Sequence, residues 1–276
     1  MRKIIDFHTH AFPDALAEKA MAQLHSELHI ELYTDLYNRG DFTSYLDGKL
    51  SSLLSSMDKA GIETSVLCCI ATRPKQFEQI LLWCKQIRSD RIVPMPSVHP
   101  DDPQAAEKIH QIAREGFKGV KFHPYYQDFD VDSARMNPIY EAIAANHLMI
   151  VMHTGFDIAF ERVDRASPKR IVKVINRFPN LKFITTHMGA WYDWDAVETE
   201  ILGKPIYMEM SVSRDFLGQQ RFRQMLLKHP QDYLLFGTDS PWSDQSAEIE
   251  AIRRLNLPQA VLDGLFYKNA KRLLES

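Results

Sequence analysis

Two rhythms alternate along this chain. Short, nearly continuous apolar runs occupy residues 4–7, 62–70, 92–98, 117–122, 148–152, 181–186, 206–210 and 233–237. Runs of this length, bounded by Gly, Pro or polar residues, predict strands buried on both faces. Between them apolar residues recur at three- and four-residue spacings. That spacing predicts helices over 15–28, 46–59, 74–89, 102–115, 137–146, 168–178, 193–202, 215–228, 246–254 and 258–274. The first helix carries Leu16, Ala20 and Leu24 on one face; the second carries Leu50, Leu53, Leu54 and Met57 and is closed by Gly61. Asp102 ahead of Pro103 predicts an N-cap. The stretch 29–44 follows neither rhythm: residues 29–33 alternate like a strand and 38–41 read as a turn.

Eight strands alternating with helices imply a parallel sheet. Eight such units in 276 residues predict an α/β fold of the (β/α)8 TIM-barrel type. An open doubly wound sheet is the alternative, but no Gly-x-Gly-x-x-Gly follows the first strand. No linker or low-complexity tract divides the chain, so residues 1–276 are expected to form a single barrel domain. Residues 11–60 make an unusually long connection after the first strand and are expected to wall the active site.

Composition narrows the class. Hydrophobic residues make up 45% of the chain and the formal net charge is -3, with no basic block, which argues against a nucleic-acid partner. No apolar run is long enough to span a bilayer, and no signal peptide is visible, so no membrane association and a cytoplasmic location are expected. Cys68, Cys69 and Cys84 read as reduced thiols of the core, with a pocket-lining role for Cys68 or Cys69 as the alternative.

The candidate chemistry sits where the strands end. His8 and His10 are two apart on the first strand, so they share a face, and paired imidazoles suit a divalent metal. His99, His123, His153 and His187 follow strands 3, 4, 5 and 6, and Asp239 follows strand 8. In a barrel that end is the active-site face. By alternation His153 goes with Met149 and Val151, His187 with Phe183 and Thr185, Asp239 with Leu235 and Gly237, and Lys121 and His123 with Gly119. If those faces point inward, the groups meet above His8 and His10. His99 is expected to be structural. Glu209 has the parity to point inward but competes there with Met208 and Met210. His25, His29, His110, His147 and His229 fall on helices or turns and are expected to be solvated.

This set resembles the metal-dependent amidohydrolase superfamily. Gly119-Val-Lys-Phe-His-Pro124 and Phe236-Gly-Thr-Asp-Ser-Pro-Trp242 are similar to its amidohydrolase-related branch, often called amidohydrolase 2, which also contains decarboxylases. The closing Phe266-Tyr-Lys-Asn-Ala-Lys-Arg-Leu273 resembles that branch's last helix, so the resemblance runs from residue 4 to 274. It implies His8, His10, His153 and Asp239 as ligands of one divalent metal, zinc first and manganese second. It gives Asp239 a second part as proton acceptor. It implies His187 either as an acid/base group or as ligand of a second metal. Lys121 would then be a carboxylated bridge, or alternatively a cation for a substrate carboxylate.

The substrate is expected to be a small molecule. Lys121, His123, Arg73, Trp242 and Tyr125 are its candidate binding residues, with Arg214 a further candidate to hold a carboxylate. Tyr126, Trp191 and Tyr192 extend an aromatic wall. Aromatic loops serve equally for packing or a subunit contact, so a homodimer stays open. The expected activity is metal-dependent hydrolysis of an ester, lactone or amide by metal-activated water, with Asp239 taking the proton and His187 assisting the leaving group. The alternative is a metal-dependent decarboxylase of a small unsaturated or aromatic acid; a non-catalytic metal-binding barrel is the remaining reading.

Overall fold

The computed structural model describes residues 3–27 and 44–276. The expected strand or turn within 29–44, and His29, lie outside the described residues. Eight parallel strands alternate with helices: β1 (Ile5–Thr9), β2 (Thr64–Cys68), β3 (Ile92–Met95), β4 (Gly119–Phe122), β5 (Met149–Met152), β6 (Lys182–Thr185), β7 (Tyr207–Glu209) and β8 (Leu234–Leu235). Main-chain bonds join the β1-β2-β3 sheet to the β4-to-β8 sheet at both seams. Lys121 N donates to Pro96 O, and Phe7 N, His10 N and Asp239 N donate to Phe236 O, Ser240 O and His8 O. The result is a closed (β/α)8 barrel, which removes every sheet edge.

The helices are α1 (Asp14–Ser26), α2 (Leu50–Ala60), α3 (Phe77–Ile87), α4 (Ala105–Arg114), α5 (Asn137–Ala145), α6 (Pro168–Arg177), α7 (Trp194–Glu200), α8 (Arg214–Leu217), α9 (Gln219–Lys228), α10 (Gln245–Arg253), α11 (Gln259–Asp263) and α12 (Asn269–Glu275). Where one helix over 215–228 was expected there are two, parted at Gly218 with φ 76°. On α1 the buried residues are Ala17 and Met21, while Leu16 is exposed, so the expected stripe is rotated. Asp102 lies ahead of α4 and accepts from Gln104 N, so the expected cap sits two residues before the N-cap position. No helix among the described residues is long and apolar enough to cross a membrane.

Alternation divides the core in two. Ile5, Phe7, Val66, Cys68, Met95, Met149, Val151, Ile184 and Leu235 pack inside the barrel. Their neighbours Val120, Phe122, Ile150, Phe183, Met208 and Met210 face the helices. Gly119 is required on the inner face, because a Cβ there would lie 2.3 Å from Met149 Cγ. Cys68 fills the barrel interior, while Cys69 and Cys84 meet at 3.5 Å between Sγ atoms in the outer layer; all three are free thiols.

Candidate active site

Above the inner layer the barrel turns polar. β1 reaches this level through a bulge: Asp6 pairs with Ser65 but Thr9 pairs with Leu67, so one extra residue enters β1. Phe7 and His8 therefore both project inward, Thr9 turns out to bond Val66 O, and His10 points in again. Behind the bulge, buried Asp6 accepts from His8 N, Thr238 N, Thr238 Oγ1 and Gln245 Nε2, which fastens β1 to the chain after β8. Burial raises the Asp6 carboxyl to about 6 against those bonds.

Three donors converge at the mouth. His8 Nε2 and His10 Nε2 are 3.1 Å apart, and Asp239 Oδ1 is 3.2 Å from His10 Nε2 and 3.5 Å from His8 Nε2. The partners behind each ring assign its tautomer. His10 Nδ1 donates to Cys68 O at 2.8 Å, and a carbonyl only accepts, so its Nε2 carries the lone pair. Fully buried Lys121 presents Nζ to His8 Nε2 at 3.1 Å, so Nδ1 holds the proton and donates to Glu209 Oε2 at 3.0 Å. Two imidazole lone pairs and a carboxylate facing one point suit a divalent cation.

His153 and His187 continue this arc. His153 Nε2 donates to Phe156 O at 2.9 Å, which leaves the Nδ1 lone pair 3.2 Å from His187 Nε2. His153 is therefore joined to the trio through His187, whose ring centroid lies 5.4 Å from that of His8. His187 arrives differently from expectation. Ile184, not Phe183, is the inner residue of β6, so alternation would carry His187 outward. A left-handed backbone at His187 (φ 57°) and Met188 (φ 55°) swings the ring back in. Its Nδ1 meets Ser211 Oγ at 3.1 Å. Burial drives His8, His123 and His153 well below the usual imidazole range and takes His187 to about 3, so all are neutral near pH 7.

Glu209 and Asp157 are site residues beyond those the strand ends mark in the sequence. Glu209 is fully buried on the inner face of β7; Met208 and Met210 face the helices, so the expected competition does not arise. Desolvation pushes its carboxyl up, while the bonds that Ser211 and His8 give to both oxygens favour the carboxylate. Asp157 lies past the end of β5, where no periodicity signals it. Its Oδ2 is 3.2 Å from His123 Nε2 and 3.6 Å from His153 Nε2, and those two rings stack at 4.1 Å. Burial raises the Asp157 carboxyl. These donors also cluster tightly, but His153 Nε2–H is already held by Phe156 O, so the trio reads as imidazoles bound to a carboxylate.

The remaining candidates disperse. Arg73 is exposed after β2. Tyr125 is buried, with its hydroxyl on Gly155 O and Val163 O, so it braces the loop after β5. Trp242 is half-buried after β8 and meets His25 edge-on at 5.6 Å, although His25 is itself exposed. Arg214 pairs with Glu248 and Asp215. His229, expected in solvent, is buried and bonds Ile206 O at 2.8 Å.

A family model described as amidohydrolase matches residues 5–275. No curated protein matches the chain. Among solved structures, an uncharacterized TIM-barrel protein from Bordetella bronchiseptica superposes with a TM-score of 0.72 at 21% identity, covering 99% of this chain and 98% of that one. A 5-carboxyvanillate decarboxylase from Sphingomonas paucimobilis gives 0.70 at 17%, covering 100% and 99%. A dihydroxybenzoic acid decarboxylase from Polaromonas, solved with bound manganese and the inhibitor 2-nitroresorcinol, gives 0.71 at 15%, covering 100% and 97%. At these identities the likeness establishes the barrel fold.

Proposed function

The chain belongs to the amidohydrolase family, and from that premise we propose that it is a divalent-metal-dependent decarboxylase of a small unsaturated or aromatic acid. The observation that carries the reading is the convergence of His8 Nε2, His10 Nε2 and Asp239 Oδ1 beside the buried amine of Lys121. The first three would hold the metal, with His153 Nδ1 the next donor in the arc. Manganese is favoured beside zinc, because a structurally similar decarboxylase carries it. Bound there, a divalent ion supplies positive charge that orients the acid's oxygens and stabilises the charge left on carbon. The decarboxylase activities of similar structures support loss of CO₂ over hydrolysis.

The chain's own groups divide the work. Lys121 gives the carboxylate a cationic neighbour at the base of the site. As the bond to the carboxyl carbon breaks, its electron pair stays on the substrate carbon, which takes a proton. Asp239 stands at the mouth, where its carboxylate can take a proton from solvent and hand it to that carbon. His187 is neutral and lies in hydrogen-bond reach of His153 and Ser211, so near pH 7 it carries a single ring proton and takes up no second one.

The same donor set supports a second reading, hydrolysis of an ester, lactone or amide, in which the Asp239 carboxylate beside His10 Nε2 takes the proton from water. The test is an assay of protein loaded with manganese or zinc against a panel of aromatic and unsaturated acids and matched lactones. CO₂ release with the decarboxylated product is expected. Lactone or ester hydrolysis without CO₂ would overturn the decarboxylase reading.

A further inference from the structure

We propose that Glu209 is a positioning residue that locks His8 and His187 into one hydrogen-bonded unit. This rests on the reading of the site as a metal centre. Glu209 Oε2 accepts from His8 Nδ1 at 3.0 Å and from Ser211 Oγ at 2.9 Å, and Oε1 accepts from Ser211 N. Ser211 Oγ continues to His187 Nδ1 at 3.1 Å. The main chain of the same residue holds the turn that brings His187 inward, since Met188 N donates to Glu209 O at 2.7 Å. One residue of β7 thus holds a ring from β1 and, through a serine, a ring from the far end of β6.

The neighbouring strand is shaped around this carboxylate. A Cβ on Gly237 would lie 2.3 Å from Glu209 Oε1 and 2.7 Å from Cδ. Glycine there leaves room for the carboxylate beside His8. The carboxylate is not interchangeable with its amide. With Ser211 N already donating to one end, glutamine would turn its NH₂ toward His8 Nδ1. His8 could then satisfy it only by moving its proton to Nε2, which removes the lone pair aimed at His10 and Asp239.

Two variants test this, Glu209→Gln and Gly237→Ala, the second displacing the carboxylate without removing it. Affinity for Mn²⁺ and Zn²⁺ is measured by competition with a chromophoric chelator. The imidazole tautomers are read by ¹⁵N NMR on chelator-treated protein. Both variants are expected to lose about 10- to 100-fold in metal affinity. Glu209→Gln is also expected to move the His8 proton from Nδ1 to Nε2. Ser211→Ala, which cuts the link to His187 and removes the hydroxyl from Glu209 Oε2 but leaves His8 Nδ1 and the residue 211 main-chain N on the carboxylate, is expected to keep metal affinity within about 2-fold while lowering kcat about 10-fold. Unchanged affinity and tautomer in whichever of Glu209→Gln and Gly237→Ala folds would overturn the proposal. A wild-type protein that binds neither ion would instead sink the metal-centre reading itself.

Discussion

The Nε2 atoms of His8 and His10 face each other across 3.1 Å with both lone pairs inward, because each ring's proton is held behind it, by Glu209 for His8 and by the Cys68 carbonyl for His10. Neither ring can relieve the other by donating a proton. Replacing His8 or Asp239 by alanine breaks this donor set. Each variant is expected to retain under about a tenth of the wild-type metal by elemental analysis after desalting. Stoichiometric metal in both would place the centre elsewhere.

Lys121 competes with a cation for His8 Nε2, to which its amine is bonded at 3.1 Å. Lys121→Met removes that bond and a neighbouring positive charge. Metal affinity is expected to rise about 10-fold, equivalent to ~1.4 kcal/mol. Turnover is expected to fall at least as much, since the carboxylate loses its cation. Isothermal titration beside steady-state kinetics separates the two, and weaker metal binding would exclude competition.

His187 makes metal-free stability fall in acid. Its pKa is about 3 in the fold against an ordinary 6.5, so as pH drops below 6.5 the unfolded chain takes up a proton that the native state refuses. The stability it contributes is present above 6.5 and is lost as pH falls toward 3. Between pH 7 and 5, urea unfolding of the wild type is expected to lose about 2 kcal/mol more than that of His187→Gln. Parallel pH profiles would show that the ring is not held neutral.

The glycine at the base of β4 is a packing requirement. A Cβ at Gly119 would meet Met149 Cγ at 2.3 Å and Met149 O at 2.6 Å, and a backbone oxygen cannot move aside cheaply. Gly119→Ala is expected to cost about 3 kcal/mol and lower Tm by roughly 5–10 °C in calorimetry. An unchanged Tm would mean that the barrel wall relaxes there.

The barrel was legible because strands buried on both faces leave unmistakable apolar runs, and the period of two placed Lys121, His153 and Asp239 correctly on inner faces. What periodicity could not carry was local departure from it. The bulge in β1 and the left-handed turn at His187 each reverse alternation; no Gly or Pro announces the first, and Gly189 in the second marks a turn without its direction. Glu209 was obscured because its methionine neighbours look equally fit for an interior, although they pack against helices. Asp157 stands in a loop, where only the folded chain brings it to His123.

The most direct measurement runs the manganese-loaded protein in D₂O with an aromatic acid labelled with ¹³C at its carboxyl carbon. The expected result is release of ¹³CO₂ and a product carrying one solvent deuterium on the carbon that lost the carboxyl group. A matched ¹³C-carbonyl lactone opened to a labelled acid, with the free acid recovered intact and no deuterium on carbon, would contradict decarboxylation and leave hydrolysis as the activity of the site.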